Sequence, residues 1–191
     1  MKIKYNSPVV LTFALISFAV LVLGWITGGK STTLLFSVYR TSLFDIRLYL
    51  RLFTHVLGHA DLSHYMGNFM IILLVGPMLE EKYGSKTLLL MIVFTAFVTG
   101  VIHVVFFPGV ALLGASGIAF MMILLSGFAN ARKKEIPLTL ICVAVLYLGT
   151  EVVDGIFAKD NISQLAHIIG GVCGCAFGWC IANKVQIFKK R

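Results

Sequence analysis

The chain has 191 residues, 59% of them hydrophobic, and a mean hydropathy of +0.95, which excludes an ordinary soluble domain and indicates a polytopic membrane protein. The formal net charge of +8 is no sign of nucleic-acid binding, because the basic residues fall in short tracts beside apolar runs and no phosphate-binding loop accompanies them. Residues 1–191 read as one bundle without a second domain.

Met1 to Lys4 followed by an apolar run resembles a signal peptide in outline, but the run is too long and no small-residue cleavage site follows. It is read as a retained first helix, Val9–Ile26. A second uncharged run covers Leu62–Leu79, and from Thr87 to Ala131 no Asp, Glu, Lys or Arg occurs. That stretch is long enough for two spans broken at Pro108-Gly109. The fifth run is Pro137–Val153 and the sixth Ile162–Ala182, which predicts an all-α bundle of six transmembrane helices.

With both termini inside, the cytoplasmic side holds Lys2, Lys4, Lys82, Lys86, Arg132, Lys133, Lys134, Lys184, Lys189, Lys190 and Arg191. The opposite side holds only Lys30, Arg40, Arg47, Arg51 and Lys159, so the basic asymmetry predicts this orientation. The first connection, Thr27 to Asp61, is longer than a simple connector needs. It interleaves Leu43, Phe44, Ile46, Leu48, Tyr49, Leu50, Leu52 and Phe53 with Asp45, Arg47 and Arg51, a mix suited to lying partly in the interface. Cys142, Cys173, Cys175 and Cys180 all fall in apolar segments and read as small packing residues.

Four polar residues share a depth. Counting rise back from the nearest cytoplasmic cation places Ser116 roughly 24 Å above Arg132 and His167 roughly 26 Å above Lys184. His64 and Asn68 lie roughly 27 and 21 Å above Lys82. In a hydrocarbon core of about 30 Å, three helices therefore bring polar groups to one layer a little below the outer surface. Gly170, Gly174 and Gly178 form a smooth stripe after His167, and Gly114 and Gly117 flank Ser116. Such stripes let helix backbones approach closely, here bringing His167 within reach of Ser116.

A hydroxyl beside an imidazole is the minimum equipment for a nucleophile and its base. A serine in a membrane helix ordinarily bonds its own backbone, and a lone histidine is ordinarily structural. The shared depth and flanking glycines turn both toward chemistry. No carboxylate stands in a helix interior: Glu151 and Asp154 lie near the outer end of helix five and Asp160 in the next loop, so a dyad is expected. His64 and Asn68 are spaced i, i+4 on one helix face and, with the Ser116 backbone N–H, can receive an oxyanion.

The Gly-x-Ser-Gly heading helix four, the Ala-His-x-x-Gly of helix six and His64-x-x-x-Asn68 together resemble the rhomboid intramembrane serine proteases, closest to the minimal six-helix, GlpG-type bacterial form. The resemblance covers essentially the whole chain. It implies a Ser116–His167 dyad, an oxyanion site of His64, Asn68 and Ser116, and cleavage of transmembrane protein substrates. It also implies a membrane-embedded first loop and gating by helix five with the loop after it. The expected location is the bacterial inner membrane, with the site open to the outer side. No metal or other cofactor and no nucleic acid is expected, and a monomer is expected to suffice. Two positions depart from the family pattern: Leu50-Arg51 replaces Trp-Arg, and Phe120 replaces a tyrosine stacked on the histidine.

A substrate helix shields its own scissile carbonyl, so helix-weakening residues near the outer boundary are expected in substrates. His103, placed midway along helix three, is taken as structural, and His55 and His59 as supports of the first loop and the site's entrance. Their spacing also suits a metal-binding transporter or metalloprotease, but Val56 follows His55 where a zinc protease motif needs Glu. An inactive rhomboid-like binding protein would be expected to lack the serine or histidine, and this chain keeps both.

Overall fold

The computed structural model describes residues 4–128, 136–157 and 162–183. Lys2, Arg132, Lys133, Lys134, Lys159, Asp160, Lys184, Lys189, Lys190 and Arg191 lie outside that set, as do the side chains of Glu151 and Asp154. The described residues form eight α-helices: α1 (Pro8–Ile26), α2 (Lys30–Leu35), α3 (Ile46–Thr54), α4 (Leu62–Tyr83), α5 (Ser85–Phe106), α6 (Ser116–Gly127), α7 (Leu138–Phe157) and α8 (Ile162–Ala182).

Among the described residues, four helical stretches are long and apolar enough to cross a membrane, namely Pro8–Ile26, Leu62–Tyr83, Ser85–Phe106 and Gln164–Ala182. The charge-free stretch from Thr87 divides as its composition suggests, with Pro108 and Gly109 inside the break between α5 and α6. By contrast, α6 is only 12 residues long, roughly 18 Å, short of a core of about 30 Å. Among the described residues it is also the most enclosed helix: Ile118, Met121, Met122, Leu124 and Leu125 have no exposed surface. A helix apolar on every side belongs at the centre of a bundle, and α6 packs there against α4, α5, α7 and α8. The outer helices carry the exposed apolar side chains, among them Leu15, Phe18, Leu74 and Phe94.

Local sequence explains the ends of these helices. Pro8 opens α1, and the N–H groups of Val9 and Val10 each donate to the buried Glu80 carboxylate at 3.0 Å. Ser85 Oγ donates to the same carboxylate at 2.7 Å, tying the starts of α1 and α5 to the end of α4. Asp45 caps α3 and Asp61 caps α4, each accepting a backbone N–H of the first turn.

The first connection is built around α3 and a short 3₁₀ turn, His55–Leu57. Leu48, Arg51 and Leu52 turn inward, whereas Ile46, Tyr49, Leu50 and Phe53 face outward and Phe44 is 99% exposed. Arg51 is 1% exposed: it donates to Thr41 Oγ1 at 3.0 Å and Asp45 Oδ2 at 3.2 Å, with its guanidinium 4.1 Å from the Tyr39 ring centre. This cation holds 39–51 as one unit, while the departure at Leu50 falls on the outer face. His103 sits in the last turn of α5, not midway, and its Nε2 lies 2.9 Å from the Val110 carbonyl, fastening the α5–α6 connection.

Candidate active site

Ser116 is the first residue of α6 and half-buried. The turn before it contains Gly114 at φ 124°, a backbone conformation that a side chain would strain. A Cβ there would also lie 2.7 Å from His64 Nε2 and 3.6 Å from Asn68 Nδ2. The i, i+4 pair on α4 therefore lies directly against the approach to the serine. Asn68 is 7% exposed, and its Nδ2 is buried with no hydrogen-bond partner. A buried, unpaired donor costs about 1–3 kcal/mol.

The glycines make the second half of the site. A Cβ on Gly170 would overlap the Gly117 carbonyl oxygen and sit 2.8 and 3.0 Å from the Gly117 carbonyl carbon and Cα. One turn on, a Cβ on Gly174 would overlap the Met121 carbonyl oxygen, and one on Gly178 the Phe128 ring. Thus α6 and α8 meet backbone to backbone at Gly117, Gly170 and Gly174. Gly114 differs from the packing role read from the sequence: it lies before α6 and meets His64 and Asn68 of α4.

Along that seam the His167 ring stacks on Phe120, with centroids 4.4 Å apart and planes at 3°. Phe120 is one helical turn after Ser116, so the imidazole of α8 lies against the face of α6 that carries the serine. Gly117, adjacent to the serine, would place a Cβ 3.2 Å from the carbonyl oxygen of Ala166, adjacent to the histidine. Ser116, His167, His64 and Asn68 are thereby gathered from α6, α8 and α4.

The Rhomboid domain family matches residues 47–184. The chain belongs to the rhomboid family. It is 31% identical over 160 residues to rhomboid protease GluP of Bacillus subtilis, covering 80% of this chain and 30% of that protein. Rhomboid-related protein 1 of Caenorhabditis elegans is 29% identical over 148 residues, 71% of this chain and 40% of that one. Rhomboid protease GlpG of Haemophilus influenzae is 24% identical over 135 residues, 68% of each chain. This rhomboid therefore spans less than half the length of the first two relatives. Its apolar helices and family make it an integral membrane protein.

Two further histidines of the rhomboid lie behind the site. His55 is buried, with Nδ1 3.1 Å from the Arg51 carbonyl and Nε2 3.4 Å from Thr99 Oγ1. His59 has Nδ1 3.2 Å from the Leu57 carbonyl and accepts the Ala115 N–H on Nε2 at 3.4 Å. Their i, i+4 spacing thus serves hydrogen bonds within the first connection and to the serine turn. Spacing alone announces neither partner, because both contacts that reach beyond the connection depend on the fold.

Burial is the main force on both rings and pushes each down to about 4. An unfolded histidine titrates near 6.5, so between pH 6.5 and 4 the unfolded chain binds more protons than the native one. Native stability is then fully present above about pH 6.5 and is lost as pH falls toward 4, by up to about 3 kcal/mol per histidine. Thermal unfolding in detergent at pH 7.5, 5.5 and 4.5 should show a falling midpoint, and His55→Gln should flatten the decline.

Proposed function

We propose that this rhomboid is an intramembrane serine endopeptidase that cuts transmembrane segments of membrane proteins near the outer membrane boundary. The observation that carries the reading is the His167 ring stacked on Phe120, one turn from Ser116, across a seam where only glycine fits. In this reading His167 takes the proton from Ser116 Oγ as the oxygen attacks the scissile carbonyl, and later gives it to the leaving amine. The negative charge on the former carbonyl oxygen meets the Ser116 N–H, Asn68 Nδ2 and His64. As the first helical residue, Ser116 has an N–H without an intrahelical acceptor, and the α6 dipole adds to the attraction. Water hydrolyses the acyl-enzyme in the second half-reaction.

The same reading places both termini in the cytoplasm of a bacterial cell and the site toward the outer face. Helices α6 and α7 complete six crossings, and the apolar outer side of α3 lies in the membrane interface. The short α6 suits this arrangement, since a central helix beginning below the surface puts its first residue where a polar cavity can reach it. Substrates are then transmembrane segments whose helix-weakening residues let the chain unwind into the site.

The test is turnover of a transmembrane substrate by the reconstituted protein. Wild type should cut it, with Ser116→Ala and His167→Ala each reducing kcat by about 10³-fold or more. Cleavage that continues in Ser116→Ala but stops with a metal chelator is the contrary result. Substrates cut equally well after leucine replaces their helix-weakening residues would remove the unwinding step.

A further inference from the structure

The segment that leads into the nucleophile is held at three successive points by the first connection. Val38 and Leu112 exchange backbone hydrogen bonds at 2.8 and 2.9 Å, and the Gly114 N–H donates to the His55 carbonyl at 3.0 Å. The third hold, Ala115 N–H to His59 Nε2, is the only one of the three that a side chain supplies. From these contacts we propose that His59 is a positioning residue for the reaction, aiming the head of α6 at the substrate carbonyl from behind. The proposal deepens the protease reading and rests on it.

Four observations support the assignment. First, the Ala115 N–H is engaged, so the amide next in line at the head of α6 is that of Ser116, the donor assigned to the oxyanion. Second, the His59 ring is 2% exposed and wedged among Tyr65, Phe69 and His64, with centroids 5.5, 5.7 and 5.1 Å away. It has little room to turn. Third, its Nδ1 faces the Leu57 carbonyl, which puts the proton on Nδ1 and leaves Nε2 to accept. Burial keeps that acceptor bare at neutral pH, with His64 and Asp61 the titratable groups that bear on it. Fourth, His59 touches His64 edge to face, and His64 lies against Gly114, so one ring braces both the serine turn and an oxyanion donor.

The experiment compares His59→Leu, His59→Gln and His59→Asn in the full chain reconstituted in vesicles. It reads kcat and KM on a transmembrane substrate, the rate of fluorophosphonate labelling, and thermal midpoints. Glutamine can present its oxygen near the Nε2 position, whereas asparagine is one bond too short and leucine offers no acceptor. His59→Leu and His59→Asn should lose about 10-fold or more in kcat and labelling rate with KM within about 2-fold, and His59→Gln should stay within about 3-fold of wild type. Equal rates for the glutamine and asparagine proteins, or a wild-type rate in either the leucine or the asparagine protein, overturn the positioning role. The asparagine–glutamine comparison decides the matter even where the leucine protein does not fold. If wild type itself takes no label at Ser116, the protease reading falls and this proposal with it. If wild type labels there and the variants label equally fast, this proposal alone falls.

Discussion

Gly170→Ala is expected to cost about 100-fold in turnover while leaving the chain inserted and helical. The added methyl would overlap the Gly117 carbonyl oxygen and stand 2.8 Å from its carbon. Every atom it meets there is backbone, so no side chain can swing aside. The seam must open, and its two walls carry the residues of the proposed dyad: Ser116 precedes Gly117, and His167 stands three residues before Gly170. A displacement of about 1 Å between nucleophile and base is enough for a loss of that size. Gly67→Ala is the control, because a Cβ at Gly67 meets nothing within 4 Å. In a helix interior alanine is favoured over glycine by roughly 1 kcal/mol, so Gly67→Ala should keep full activity and unfold no more easily than wild type. Turnover and thermal midpoint measured on both proteins check the pair.

Asn68→Leu is expected to separate stability from activity. Nδ2 of Asn68 is buried and unpaired in the resting protein, a burden of about 1–3 kcal/mol that leucine, of similar size, removes. The melting midpoint should therefore hold or rise. Turnover should fall by about 10²-fold, the usual effect of deleting one oxyanion donor, with KM little changed because the donor acts only on the developing charge. A stabilised, slow enzyme is the signature of a polar group kept for chemistry against the interest of the fold. Loss of stability and activity in parallel would instead make Asn68 a structural residue.

Much of this arrangement is legible in the sequence because its causes are local. Charge-free runs coincide with the helices long and apolar enough to cross a membrane, and Pro108-Gly109 falls within the break between α5 and α6. The Gly170-Gly174-Gly178 spacing presents a smooth helix edge, and the edge is used against α6. His64 and Asn68 share a face by helical geometry alone, and Phe120 retains an aromatic surface for His167 without the hydroxyl.

Other features depend on information that no local pattern carries. The apolar composition of α6 is the same whether a helix faces lipid or is enclosed by other helices, so its 12-residue length is not readable from hydropathy. Gly114 looks like one more member of a smooth stripe, but the fold sets it against His64 and Asn68 of α4. The contacts of His55 with Thr99, of His59 with Ala115 and of His103 with Val110 are made between segments that only the fold brings close. Asp45, ahead of the mixed apolar and basic sequence of α3, is a sequence-level start signal for a helix within the first connection.

The most direct test of the Ser116–His167 dyad is the site and base-dependence of fluorophosphonate labelling in the full chain. Reconstituted wild type should carry the phosphonyl group on Ser116, located by peptide mass mapping. The rate should fall by about 10³-fold in His167→Ala, be absent in Ser116→Ala, and be indifferent to chelators. Label on another residue, or a rate unchanged by His167→Ala, would contradict the dyad.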